Sequence, residues 1–221
     1  MENPAALLDQ TLLKPDTTVT QIEALCEEAV EYGFASVCLP PAFVGRAAEL
    51  LYGSEVKLCS VVGFPCGYSR LRQKVVETAD LVALGVEEID MVVQIGQLLE
   101  NRFAATEEEV AQVVLAAGGA TVKVIIECCY LTPQLMQAAT ESVVRAGAAF
   151  VKTSTGFGPN GARLDDVRLL AKTAAGRIGV KAAGGIRDLE TCQAMLAAGA
   201  TRIGTSAGVQ IVNQWQASRG H

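Results

Sequence analysis

Histidine is almost absent: the chain of 221 residues holds one, His221, and it is the last residue. A zinc-dependent aldolase holds its metal with several histidines, and a Ser-His-Asp hydrolase needs one in its core. Neither chemistry is open to this chain unless its end folds inward. Acid, base or nucleophile must therefore come from Lys, Asp, Glu, Cys or Tyr. Charge is also sparse, at 19% of residues against 50% hydrophobic. That balance excludes a disordered chain and is enough to bury one substantial core. The formal net charge of −6 repels nucleic acid and anionic membrane, so neither is an expected partner. A site for an anionic substrate must then be locally positive. No apolar run approaches the ~18 residues of a membrane span. Met1 to Gln10 carries no basic segment and no long apolar stretch, so no signal peptide is expected. No CxxC spacing occurs, which removes a zinc ribbon. The seven cysteines are odd in number, and Cys38 and Cys59 sit inside apolar runs. Buried free thiols in a reducing, cytoplasmic setting are the expectation.

What the chain does have is a recurring unit. A helix-period segment ends at glycine and a short β-branched run follows. Gly33 precedes Phe34 to Leu39, Gly53 precedes Val56 to Val62, and Gly85 precedes Ile89 to Val93. Gly118 and Gly119 precede Val122 to Glu127, and Gly147 precedes Phe150 to Thr153. Gly176 precedes Ile178 to Ala182, and Gly199 precedes Arg202 to Thr205. Glycine just past a helix end takes positive φ without a Cβ clash. Helix starts are marked by Thr18 or Thr20, by a capping box at Thr106 and Glu109, and by Thr132 before Pro133. Leu8 to Leu12 is an eighth candidate strand. Strands alternating with helices imply parallel pairing and right-handed crossovers. The expectation is an α/β chain forming a single (β/α)8 TIM barrel, one domain over residues 1–221, with a loose polar tail from about 214 to 221. An open doubly wound sheet is the alternative.

In such a barrel, function gathers at the strand C-termini. Lys152, Lys181 and Asp90 each fall inside an apolar strand segment there. Lysine and aspartate are seldom fully buried unless paired. The plain structural alternative is a salt bridge between Asp90 and one lysine, which leaves the second lysine unexplained. Lys57 and Lys123 stand at strand starts and are expected as solvated end residues. Two lysines near one carboxylate suit Schiff-base chemistry. An amine must be neutral to attack a carbonyl, and a neighbouring ammonium and a dry pocket both favour that form. The carboxylate and second lysine can then move protons. A second set of residues reads as an anion cradle. Gly184-Gly185-Ile186-Arg187 follows the strand of Lys181, and Gly204-Thr205-Ser206-Ala207-Gly208 opens the last helix. Glycines let backbone N–H groups approach an anion, and a helix N-terminus favours it.

Several segments resemble deoxyribose-phosphate aldolase. They are Leu8 to Pro15, Ser36-Val37-Cys38, Gly63-Phe64-Pro65, Glu88-Ile89-Asp90-Met91, Val151-Lys152-Thr153-Ser154-Thr155-Gly156-Phe157, Lys181 to Arg187 and Gly204 to Gly208. The resemblance runs in order from about residue 5 to about residue 212. It implies a class I aldolase, free of metal and cofactor, acting on small sugar phosphates and aldehydes. Lys152 would form the Schiff base, and Asp90 and Lys181 would donate and accept protons. Asp9, Thr11, Cys38 and Thr155 would lie near the substrate. Gly156, Gly184, Gly185, Gly204 and Ser206 would surround its phosphate. Family members are often dimers, so the resemblance admits a homodimer. The chain departs from the family at Gln10 and Gln94, where many members carry His and Asn, and in a C-terminus without tyrosine. A phosphate-binding barrel isomerase or synthase, with Lys152 as general base, is the other enzymatic reading. A catalytically dead binding barrel would be expected to lack Lys152, Asp90 or Lys181.

Overall fold

The structure, a computed structural model, describes residues 3–219. His221 lies outside the described residues. Leu8–Thr11 (β1) is followed by Val19–Tyr32 (α1), Ser36–Leu39 (β2), Val44–Leu51 (α2), Lys57–Val62 (β3) and Leu71–Ala83 (α3). Glu88–Val92 (β4) leads to Ile95–Leu99 (α4) and Phe103–Ala116 (α5), then Thr121–Ile125 (β5) and Pro133–Arg145 (α6). Phe150–Lys152 (β6), Leu164–Ala174 (α7), Gly179–Ala183 (β7), Leu189–Ala197 (α8), Arg202–Thr205 (β8) and Gly208–Arg219 (α9) complete the order. The strands pair in parallel in chain order, and β8 returns to β1, so the sheet closes. Closure rules out the open doubly wound sheet.

Local chemistry explains most element ends. Thr18 caps α1 in a reciprocal box with Gln21, and Gly33 ends the helix in the left-handed region. Thr132 accepts the Leu135 N–H, with Pro133 at the first helical position of α6. The box expected at Thr106 and Glu109 does not form. Helix α5 already begins at Phe103, and Glu109 is buried in an ion pair of 2.7 Å with Lys74. The polar tail expected from residue 214 is not loose as far as it is described. Helix α9 carries on through Arg219, whose guanidinium lies over the Trp215 ring, and Gln214 accepts the Leu189 N–H. No glycine or proline interrupts 209–219, so nothing breaks the helix there.

The two faces of the sheet differ. The outer face packs on the helices in one apolar core that includes Ile22, Leu25, Val110, Val113, Leu170 and Ile211. The barrel interior holds a small apolar cluster, Cys38, Cys59 and Val61 with Leu13 and Phe64 against it. Beside it lies a buried ionic network. All seven cysteines are free thiols, five of them buried. No helix of the described residues is long and apolar enough to cross a membrane.

Candidate active site

Register decides which side chains share the barrel interior. Lys152 on β6 is aligned with Lys181 on β7, and Asp90 on β4 with Lys123 on β5. Their side chains meet at Asp90. One of its oxygens, Oδ2, lies 2.6 Å from Lys152 Nζ and 2.6 Å from Lys181 Nζ; Oδ1 lies 2.9 Å from Lys123 Nζ. A second carboxylate, Asp9, contacts Lys181 at 2.5 Å, Lys123 at 3.4 Å and Arg202 at 2.7 Å. Glu88 joins Lys123 at 2.7 Å and Arg202 at 3.3 Å. Lys123, Lys152, Lys181 and Arg202 thus set four positive charges against the three negative ones of Asp9, Glu88 and Asp90.

Burial and these neighbours act in opposite directions. Burial pushes the Asp90 carboxyl up, but the ammonium groups of Lys123, Lys152 and Lys181 outweigh it and hold Asp90 well below 3.8. Asp9 is held low in the same way, by Lys181, Lys123 and Arg202. Burial pushes Lys181 down, yet Asp9 and Asp90 raise it above 10.5, and Asp90 does so for Lys123. Both lysines therefore remain protonated at neutral pH. Lys152, at the upper end of the network, also lines a cavity.

That cavity, about 350 Å³, opens at the C-terminal ends of the strands. Its walls include Thr11, Thr155, Gly156, Gly184, Gly185, Gly204 and Ser206, and also Lys14, Phe157, Thr205 and Arg187. Gly184 and Gly185 have φ of +91° and +81°, a turn that only glycine makes without strain. At Gly204 the reason is different: a Cβ there would lie 3.1 Å from Lys181 Cε and 3.0 Å from Ala183 Cβ. The missing side chain makes room for the lysine. Thr205 Oγ1 donates to the Ile186 carbonyl at 2.6 Å and accepts the Ala207 N–H at 2.9 Å, joining the two glycine segments.

One expectation needs correction. Lys123 is not a solvated end residue. Strand β5 starts two residues earlier, at Thr121, so Lys123 is fully buried among carboxylates. Lys57, by contrast, is half-exposed beside Glu87. Asp9 does not line the cavity; it lies fully buried within the ionic network. Cys38 is likewise outside the lining, buried with its thiol 4.0 Å from Asp90 Oδ2. Gln10 also has a definite place: its Oε1 accepts the N–H of Gly208, the first residue of α9, and its amide donates to Glu28. Gln94 sits after β4 with its backbone N–H on Glu109. Lys14, Arg187 and Glu127 (a buried carboxylate after β5) were not singled out by sequence reasoning. Arg187 was within reach, since it ends the Gly-Gly-Ile-Arg segment. Cys38, Cys59 and Asp90 bring two thiols and a carboxylate within 4.8 Å of one another. A dication there would face three ammonium groups already on Asp90, so Coulomb repulsion opposes it.

Fold and cavity define a class: a β/α-barrel enzyme with its site at the strand C-termini. The chain belongs to the DeoC/LacD family of aldolases, whose family model matches residues 5–216. It is 54% identical over 216 residues to the deoxyribose-phosphate aldolase of Syntrophotalea carbinolica, covering 98% of both chains. It is 51% identical over 214 residues to that of Streptococcus mutans, covering 97% of both. The tetrameric deoxyribose phosphate aldolase of Aeropyrum pernix superposes with a TM-score of 0.90 at 37% identity, over 97% of this chain and 91% of that one.

Proposed function

We propose that the chain reversibly cleaves 2-deoxy-D-ribose 5-phosphate to D-glyceraldehyde 3-phosphate and acetaldehyde, with Lys152 as the Schiff-base amine. The observation that carries this is position: of the network's four cations, Lys152 alone lines the cavity among the described residues, and its Nζ is 2.6 Å from Asp90. The charge count supports it. Loss of one proton from Lys152 leaves three cations facing three carboxylates. The neutral amine adds to the aldehyde carbon, and loss of water gives the protonated imine. That imine draws the electron pair as C2–C3 breaks and the C3 hydroxyl gives its proton to a base at the site, releasing glyceraldehyde phosphate and leaving an enamine. Protonation of the enamine at C2 and hydrolysis free acetaldehyde. Asp90 bridges the amines of Lys152 and Lys181, which suits it to carry protons between them. The cradle of Gly156, Gly184, Gly185 and Ser206, with Arg187 and Lys14 beside it, supplies the local positive field that a phosphate requires in an acidic protein. The free thiols support a reducing, cytoplasmic setting.

The test pairs acetaldehyde release from 2-deoxyribose 5-phosphate with borohydride reduction in the presence of substrate. A stable adduct on Lys152, absent from Lys152→Ala, is expected. Turnover without mass increase at Lys152 would transfer the residue to a general-base role and defeat the imine.

A further inference from the structure

Strand β5 ends at Ile125, and two residues later the chain does something uncommon. Glu127 has φ of +50°, in the left-handed region that a long side chain avoids. The other non-glycine residues with positive φ among the described ones, Asn101 and Ala175, both follow helix ends, where this conformation is ordinary. Glu127 is instead 2% exposed, and among the described residues it has no cation within ion-pair distance. A buried carboxylate without a cation is costly unless it is well hydrogen-bonded. Its oxygens take three hydrogen bonds from one residue and a longer contact from the Cys129 thiol, at 3.9 Å from Oε1. The Thr155 N–H donates to both at 3.2 Å, and the Thr155 hydroxyl donates to Oε2. Thr155 Oγ1 in turn accepts the Phe157 N–H at 3.0 Å. The backbone on either side is tied as well, by Ile126 N–H to the Lys152 carbonyl and Cys128 N–H to that of Thr153.

Thr155, Gly156 and Phe157 form one wall of the cavity, next to the glycine turn at 184–185. The strained conformation therefore aims a carboxylate at a segment of the cavity wall, and it engages both donors of Thr155. Gly156, which follows, lines the cavity. We propose that Glu127 is a positioning residue for phosphate recognition: it fixes the 155–157 segment so that the ester, and not the free sugar, is the favoured substrate. The inference rests on the aldolase reading above.

The experiment compares kcat/KM for 2-deoxyribose 5-phosphate with kcat/KM for 2-deoxyribose, using the full chain. Glu127→Ala should lower the value for the ester roughly 10- to 100-fold, the range for a lost hydrogen bond to a charged group, and chiefly through KM. The value for the free sugar should change by less than about threefold, because its binding makes no call on the cradle. Borohydride trapping of acetaldehyde on Lys152 should persist. Glu127→Gly relieves the backbone while removing the carboxylate and should lose the same preference. Glu127→Gln keeps an oxygen for the Thr155 N–H and should recover part of it. Equal losses on both substrates, or a normal preference in Glu127→Gly, would overturn the inference by making the residue a fold element or a backbone device. An unchanged ratio in Glu127→Ala would do the same. A native chain that releases no acetaldehyde from the ester defeats the aldolase reading itself, a different outcome from any of these.

Discussion

At the scale of single residues, the site works by unequal access. Lys181 and Lys123 are fully buried and held charged by the carboxylates around them, whereas Lys152 meets the cavity. Removing the charge of Lys181 therefore tests the electrostatics. In Lys181→Leu one cation leaves the network, so the remaining amines hold their protons more firmly. The pH profile of borohydride trapping at Lys152 should move to higher pH, and an unchanged profile would rule out electrostatic activation. Stability should fall by about 3–5 kcal/mol in urea melts, because Asp9 and Asp90 lose a buried partner. Lys152, Asp90 and Lys181 could be found in the sequence because charge inside an apolar strand is conspicuous. Lys123 could not. Whether a lysine near a strand's start faces solvent or the interior depends on where the strand begins, and two residues at Thr121 and Val122 decided it. Glu127 gave no signal at all, since its role depends on a positive φ that nothing in Ile125-Ile126-Glu127-Cys128 announces.

At the scale of elements, glycine after a helix and a β-branched run placed seven strands, and Leu8 to Leu12 was a candidate for the eighth, all to within two residues of the observed bounds. That pattern is local chemistry, so it survives without knowledge of the fold. The errors came where tertiary contacts intervene. Glu109 was read as half of a cap because Thr106 precedes it, yet Lys74 claims it from another helix. The cap at Thr18 is purely local, and it gives a clean prediction. Thr18→Ala should cost about 1 kcal/mol in equilibrium unfolding, the usual value of an N-cap. Turnover should not change, since α1 packs outside the barrel. A loss of activity without loss of stability would show that the start of α1 communicates with the cavity after all.

At the scale of the molecule, the titrating groups set a broad window of stability. Asp9 and Asp90 are held below their ordinary 3.8, so their contribution is present above about pH 4 and lost as pH falls through the lower folded values. Lys123 and Lys181 are raised above 10.5, so theirs is present below that pH and lost as pH rises further. Burial pushes the thiols of Cys26 and Cys192 up to about 11 from an ordinary 9.0, so their contribution begins to fail above pH 9. The Tm should therefore stay level between about pH 5 and 8.5 and decline on both sides. Thermal melts across pH 3–11 would check this, and a steep change between pH 6 and 8 would contradict it.

The alternation of side chains along each strand separates two jobs. Residues facing outward, such as Val151 and Val180, knit the barrel to its coat of helices, while their immediate neighbours Lys152 and Lys181 meet Asp90 inside it. Durability and reactivity are thus written on the two sides of one ribbon, at odd and even places. The outer upholstery of this enzyme could be re-cut for hotter or harsher use with the machinery inside left as it stands.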